Sequence, residues 1–432
     1  MDDLLDLLFR VCDPNESLPP EDARNVNCDD ARHGGVAPLL AKDFQRADPT
    51  KPMHRLFTGH IGVGKSTELL RLKAILSAGA DSKPRFEVIY FDVNEHLDPN
   101  DLKLADLLVL IAAQVYGQLK KLKIPGFSAT NIALQQFWDH TKQFFGSSVT
   151  LKDVEFETGF ATLTTEIKQG DPSSRAKLRQ AINEQRTTLR RGVNDLLDVA
   201  TKALRGHGQA TGLVIIVDGL EKLPADQHQD LFLEGCEQMT DLAAHTVYTV
   251  PMALAYHPRF NTLMQAFGHV PVPVPMLHAD TPEGMACLVS LIEKRCAKAG
   301  FQLSELFDSD DTREYLCLQT GGHIRHLMMF MRAAVNKCDL LPITRAAVDS
   351  ALRDYRHGLA RQIPGSFWPW LRTFRSGMQD SLRDDLPEEI KRDLLHQLLV
   401  YEYANGEPRY NVNPVIRDLH NFSHGDLAPK LA

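Results

Sequence analysis

The chain has 432 residues, 43% hydrophobic and 24% charged, with a net charge of −8. These are ordinary globular values, and the length predicts about two to four domains with ample core. The acidic balance argues against non-specific nucleic-acid binding over the whole surface, because phosphate neutralisation supplies most of that affinity; no apolar run approaches the ~20 residues of a membrane span.

Residues 1 to about 50 are rich in Pro, Asp and Asn, and carry 11 acidic against 5 basic side chains. They read as a loosely structured arm with short helices. The start, Met1-Asp2-Asp3-Leu4-Leu5-Asp6, is acidic and does not resemble a secretory signal, so a cytoplasmic location is expected. The 7 cysteines are scattered and form no Cys-x-x-Cys pair, which points to reduced thiols rather than zinc or a disulfide framework.

Gly59-His60-Ile61-Gly62-Val63-Gly64-Lys65-Ser66-Thr67 fits the phosphate-binding loop pattern, a glycine, four free positions, then Gly-Lys-Ser/Thr. Gly59, Gly62, Val63 and Gly64 would present backbone N–H groups to phosphate oxygens, with the glycines permitting the tight turn. Lys65 would place positive charge near the β and γ phosphates, and the Ser66 hydroxyl would ligate Mg²⁺. Thr67 opens a helix whose positive end faces the same anion. A real loop of this kind lies between a strand and a helix. Met53 to Phe57 reads as a buried strand, and Thr67 to Leu76 carries apolar residues at helical spacing, with Gly79 as a stop. An accidental glycine-rich turn is the alternative, and the flanks argue against it. ATP or ADP with Mg²⁺ is the expected cofactor.

Arg85 to Val93 reads as a second buried strand and Asp101 to Leu119 as the next helix, so a parallel α/β sheet is the expected core. Residues 126 to about 210 read as an insertion. Within it Val149 to Thr165 suggests a hairpin and Pro172 to Leu204 one long helix bearing Arg175, Arg179, Arg186, Arg190 and Arg191. That helix face is either solvated or a basic surface for an anion or a neighbouring subunit's nucleotide.

Gly212 to Asp218 is the strongest buried-strand signal in the chain. Its closing Asp218 is the acid that a phosphate loop requires for Mg²⁺; without the loop it would read as a turn cap beside Gly219. The run Asp218-Gly219-Leu220-Glu221-Lys222 resembles the Walker B motif of NACHT-type and other STAND ATPases, where Asp-Gly-Leu-Asp-Glu is usual. The resemblance implies that Asp218 holds Mg²⁺ and that Glu221 orients or activates the attacking water. Lys222 stands where the family has its second acid, so slow hydrolysis is expected, with binding untouched. His245 to Leu254 reads as a further strand, in which the resemblance makes Thr249 a sensor of the γ-phosphate; the family's arginine is missing after it. Arg259 follows in a surface run, with an arginine finger in trans as the sharper reading.

Gly321-Gly322-His323-Ile324-Arg325 opens a helix running to Val335 and resembles the sensor 2 element of AAA+ and STAND lids, which implies that Arg325 reaches the γ-phosphate. His323 and His326 lack a Cys or acidic partner nearby and read as ordinary histidines rather than metal ligands. Ile390 to Val400 reads as a helix. Asn405-Gly406 between short aromatic and β-branched runs is a hairpin signal, and helix plus hairpin looks like a winged helix. In STAND proteins such a module packs on the ATPase; elsewhere it binds DNA.

Taken together, residues 50 to 420 resemble a STAND-type AAA+ ATPase. The expected class is α/β, a P-loop NTPase with a parallel sheet flanked by helices, then a helical lid and a small winged-helix domain. The expected division is 1–50 arm, 51–276 ATPase core, 277–358 lid and 359–432 winged helix. The resemblance implies a nucleotide-controlled switch that oligomerises with its own copies or regulates a separately encoded effector, such as the nuclease of a bacterial anti-phage system. The alternative is a DNA-acting ATPase. A small-molecule kinase would share the loop, but the long lid counts against it.

Overall fold

The computed structural model describes residues 2–48, 51–79, 85–122, 168, 176, 179, 180, 182, 184–382, 384–403 and 407–427. Five strands form one parallel sheet: β1 (His54–Thr58), β2 (Phe86–Asp92), β3 (Gly212–Asp218), β4 (His245–Thr249) and β5 (Val272–Pro273). Their spatial order is β2-β3-β4-β1-β5. Strand β4 therefore separates the phosphate-loop strand from β3, pairing with β1 from His54–Thr246 onward and with β3 from Val214–His245. Every residue of β3 is buried, which explains why its sequence is a continuous apolar run rather than an alternating one. Strand β5 lies at the sheet edge, where the missing N–H of Pro273 leaves no central ladder broken.

Helices cover both faces. On one side α2 (Val36–Arg46) and α3 (Lys65–Ala78) pack their apolar residues, Leu40, Phe44, Leu69 and Leu72 among them, against Phe57, Val214 and Val247. On the other, α4 (Leu104–Lys121) and α5 (Arg186–Gly206) bury Leu108, Ile111, Val193 and Leu197 against Ile215, Val217 and Tyr248. Expected and observed elements agree at Gly212–Asp218 and Ile324–Val335, and two of the ends that differ have a local cause. The strand expected to reach Leu254 stops at Thr249, because Pro251 cannot donate to the ladder and Met252–Tyr256 turns as a 3-10 helix. The helix expected over Ile390 to Val400 ends at His396: Leu398 turns left-handed at φ 57°, and Val400 begins a strand.

The hairpin expected across Val149 to Thr165 and the turn Ala404-Asn405-Gly406 lie outside the described residues, as does Arg175. Arg179 is described. It pairs with Asp101 and, at 2.8 Å, with the fully buried Asp106, so it supports the start of α4 rather than a free basic face. Arg190 lies 3.1 Å from Asp241.

A third core joins the C-terminal half into one body. It contains α7 (Pro282–Ala299), α8 (Asp310–Gln319), α9 (Ile324–Val335) and α10 (Arg345–Gln362), and also α11 (Glu388–His396) and the antiparallel hairpin β6 (Val400–Tyr403) and β7 (Arg409–Val412); α6 (Phe260–Phe267) precedes them against the sheet. The N-terminal α1 (Asp2–Val11) belongs to the same core through Leu8 and Val11, followed by Cys12. The arm is thus packed along its described length: α1 on the lid, α2 on the sheet. Pro14, Pro19, Pro20, Asp22, Asn25 and Asn27 lie between these helices and give that stretch its loose composition. Among the described residues no helix is long and apolar enough to cross a membrane.

Candidate nucleotide site

At the end of β1 the chain turns through Gly59, Gly62 and Gly64 at φ 144°, 89° and 101°, conformations that side chains disfavour. Gly62 is also a close approach: a Cβ there would lie 2.7 Å from the Cβ of Arg325. Helix α3 begins at Lys65 and aims its first N–H groups into the loop, a site suited to an anion. The Lys65 ammonium is buried, donating to the carbonyls of Gly59 (3.0 Å) and His60 (2.9 Å) and standing 3.2 Å from Glu221 Oε1.

Asp218 and Glu221 reach the loop from the end of β3. Asp218 is fully buried; Oδ1 accepts from the Gly219 N–H (2.7 Å) and Oδ2 from the Tyr90 hydroxyl (2.8 Å). Burial and the nearby Glu221 charge push its carboxyl up to about 6, against the opposing pull of Ser66 and Tyr90 hydrogen bonds. A 3-10 turn over Leu220–Lys222 brings Glu221 back to Lys65. Burial pushes the Glu221 carboxyl up, but Lys65, the Thr249 hydroxyl and Lys222 outweigh it and hold the group ionised, below the usual carboxylate range. Glu221 Oε2 is buried with no hydrogen-bond partner among the described residues. The fold is that of a P-loop NTPase.

The departures from the Walker B pattern have local causes. Gly219 stands at φ 86°, and a Cβ there would fall 2.1 Å from Asp92 Oδ1, so no acid fits directly after Asp218. Lys222 is committed to Asp92, at 2.9 Å. Thr249 lies behind Glu221 rather than out in the cleft: its Oγ1 accepts from the Leu220 N–H (3.0 Å) and hydrogen-bonds Glu221. Arg259 is directed to the Leu233 carbonyl at 3.2 Å.

Arg325 lines the same cleft as Gly62, Gly64, Lys65, Ser66, Thr67 and Glu221. Its backbone N–H donates to Gly62 (3.2 Å) and its Nε to the Pro14 carbonyl (3.1 Å). The preceding His323 caps α9, with Nδ1 accepting from the His326 N–H (3.2 Å) and Nε2 meeting the Ile61 carbonyl at 2.8 Å. That network assigns the neutral tautomer with the proton on Nε2. His326 is hydrogen-bonded through both ring nitrogens, to Tyr401 (2.7 Å) and Tyr355 (3.1 Å). Neither histidine ligates a metal in this arrangement. Among the described residues no cluster of three His, Cys, Asp or Glu side chains is built to hold an ion. The Ser66 hydroxyl and Asp218 carboxylate fit Mg²⁺ nonetheless, since that ion takes few protein ligands and completes its shell with water and phosphate oxygens.

Sequence reasoning missed several contributors. Tyr90, on β2, bonds Asp218 across the sheet. The arm supplies a wall of the cleft, and Arg32 grips the loop itself, donating to Glu68 Oε1 (2.6 Å) and the Val63 carbonyl (2.8 Å). Cys28, also on the arm, has its Sγ 2.8 Å from that of Cys287 on α7. His60, a free position of the motif, accepts through Nε2 from the Glu402 N–H of β6 at 2.7 Å and also hydrogen-bonds the backbone of Leu395. No local pattern marks these residues, because each partner lies far away in sequence.

Buried neutral histidines give the fold a sign-defined pH response. Burial pushes His60 and His326 down to about 3 and His54 and His245 to about 4. These groups take up protons on unfolding below ~6.5 and resist them when folded, so their stabilisation is complete above ~6.5 and is lost as pH falls toward 4 and 3. The melting temperature is therefore expected to drop steeply between pH ~6.5 and ~4.5, and less steeply in His326→Gln. A flat profile would refute this.

No protein-family model matches the chain, and no curated protein matches it. Among solved structures it is similar to the Aeropyrum pernix ORC2 protein in ADPNP–ADP complexes, at 13% identity and TM-score 0.44, covering 94% of this chain and 95% of that one. It is also similar to the Walker-type ATPase PABY2304 of Pyrococcus abyssi, at 14% identity and TM-score 0.45, covering 94% and 98%. A third is Drosophila ORC bound to DNA, at 13% identity and TM-score 0.40, covering 98% and 92%. At these values the likeness adds nothing to the site, which is read from its own geometry.

Proposed function

We propose that the chain binds ATP with Mg²⁺ in this cleft, hydrolyses it slowly, and uses the nucleotide state to set the position of its lid and C-terminal segment, and through them its association with further copies or a partner chain. Loop N–H groups and Lys65 bind the phosphates, Ser66 and Asp218 hold Mg²⁺, which neutralises phosphate charge when bound, and Glu221 positions water by accepting its proton. Arg325 adds a lid cation.

One observation carries the switch reading. Three successive loop residues are held from outside the core: His60 by Glu402, Ile61 by His323, and Gly62 by Arg325. A loop that tightens on phosphate must strain or release these bonds, which gives the lid and hairpin a differential contact with each nucleotide state. It also supports an internal role for the helix and hairpin expected to form a winged helix.

The test uses the full chain. Mass photometry with ADP, ATP and a non-hydrolysable analogue is expected to show nucleotide-dependent assembly. His60→Ala, which removes bonds that the nucleotide-bound loop must strain, is expected to slow nucleotide release about tenfold, the equivalent of a hydrogen bond or two. A monomer unchanged in all three states, or His60→Ala kinetics equal to wild type, would sink the switch. Adding duplex DNA separates the competing reading, for which turnover would rise and retention would fall steeply with salt.

A further inference from the structure

Two arginines line the cleft away from the phosphate loop, and they differ in one respect. Arg24 is 8% exposed and fully engaged, its guanidinium bonded to Glu16 at 2.6 and 2.7 Å and to Asp22 at 2.8 and 3.0 Å. Arg295, on α7, is 5% exposed, and among the described residues it makes a single hydrogen bond, Nη1 to the Leu291 carbonyl one turn earlier at 2.9 Å. Its Nε is buried without a partner. A buried guanidinium without a carboxylate is unfavourable in a finished core and persists where a ligand completes it.

The position narrows the ligand group. The charged neighbours of Arg295 are Arg24, Glu16 and Asp22 of the arm, beside the Cys12 thiol, whereas Arg325 feels Glu221 at the phosphate end. The cleft that both arginines line also carries the apolar side chains Leu18, Val26, Leu291 and Met328. Apolar side chains in the lining suit a flat ring, and an arginine donor fork in the same cleft suits acceptor atoms on that ring's edge.

We propose that Arg295 reads acceptor atoms on the base of the bound nucleotide and so sets base specificity in the cleft. The proposal rests on the cleft being a nucleotide site, and the test separates the two. ATP and inorganic tripolyphosphate are titrated calorimetrically into the full-length chain and into Arg295→Met, which keeps an apolar stem of similar reach. ATP is expected to bind about 10–100-fold more weakly to the variant, the usual loss of an arginine–base contact. Tripolyphosphate is expected to bind both proteins alike, since the phosphate loop is intact. The ligand-free melting temperature is expected to hold or rise, because a lone buried charge has been removed. Arg295→Lys, which keeps charge but loses the planar fork, is expected to lose ATP affinity as well.

Unchanged ATP affinity in Arg295→Met, full ATP affinity in Arg295→Lys, or an equal loss for tripolyphosphate would overturn the proposal, the last by making Arg295 a phosphate ligand. A ligand-free melting temperature that falls while ATP binding persists would assign it a purely structural role. Failure of the wild-type chain to bind even tripolyphosphate would instead overturn the nucleotide-site reading itself.

Discussion

Glu221→Gln is expected to reduce ATP turnover by about 10²–10⁴-fold, the range for loss of a positioned proton acceptor, while strengthening ATP binding. The two effects have one origin. Glu221 Oε1 stands 3.2 Å from Lys65 Nζ in a site where both side chains are buried. Phosphate must therefore compete with Glu221 for the lysine's charge. Glutamine fills the same space, keeps a polar contact for Thr249, and removes that competition. It also relieves the like-charge pressure that raises Asp218, so the carboxylate proposed for Mg²⁺ ionises more readily. Single-turnover hydrolysis and equilibrium binding of a fluorescent ATP analogue separate the two quantities. Parallel loss of binding and turnover would mean that Glu221 is structural, and unchanged turnover would mean that another group handles the water.

Lys65→Ala is expected to abolish measurable ATP binding and also to destabilise the ligand-free fold. The first follows from removing the ammonium that sits in the phosphate loop. The second follows from Glu221, left buried with its counter-charge gone; breaking one side of a buried pair typically costs about 3–5 kcal/mol. The double variant Lys65→Ala, Glu221→Gln should recover most of that stability and none of the binding, a large non-additivity of the kind expected for contacting groups. Chemical denaturation of the four proteins measures it. Additive stabilities would show that the pair is not coupled.

Legibility followed range along the chain. The phosphate loop was visible because its chemistry is local: glycine conformations, one lysine and one hydroxyl must follow one another directly. Asp218 was visible because it closes a strand buried on both faces, which can only be apolar throughout. Glu221 was reached only through the resemblance to the STAND Walker B motif; in the structure a single 3-10 turn returns it to the loop. The arm's short helices were legible but their packing was not, because turn-forming residues dominate its composition, while the packing of Leu8, Val11, Leu40 and Phe44 depends on surfaces made elsewhere. Thr249 was placed on the right strand, but whether its hydroxyl faces phosphate or the back of Glu221 is decided by how β4 sits between β1 and β3.

The sequence alone determined that this protein runs from a strand through a glycine-rich P-loop motif into a helix, with an acid closing another buried strand. The requirements are steric and chemical, and each is met within a few adjacent residues. Tertiary structure alone decided what surrounds that centre: Tyr90 on Asp218, Arg32 on the loop carbonyl, and His60 tied to a hairpin 342 residues away. Those contacts join side chains whose spacing obeys no period. They exist because burial of three apolar cores brings distant segments together, and their polar groups must then find partners where water is excluded.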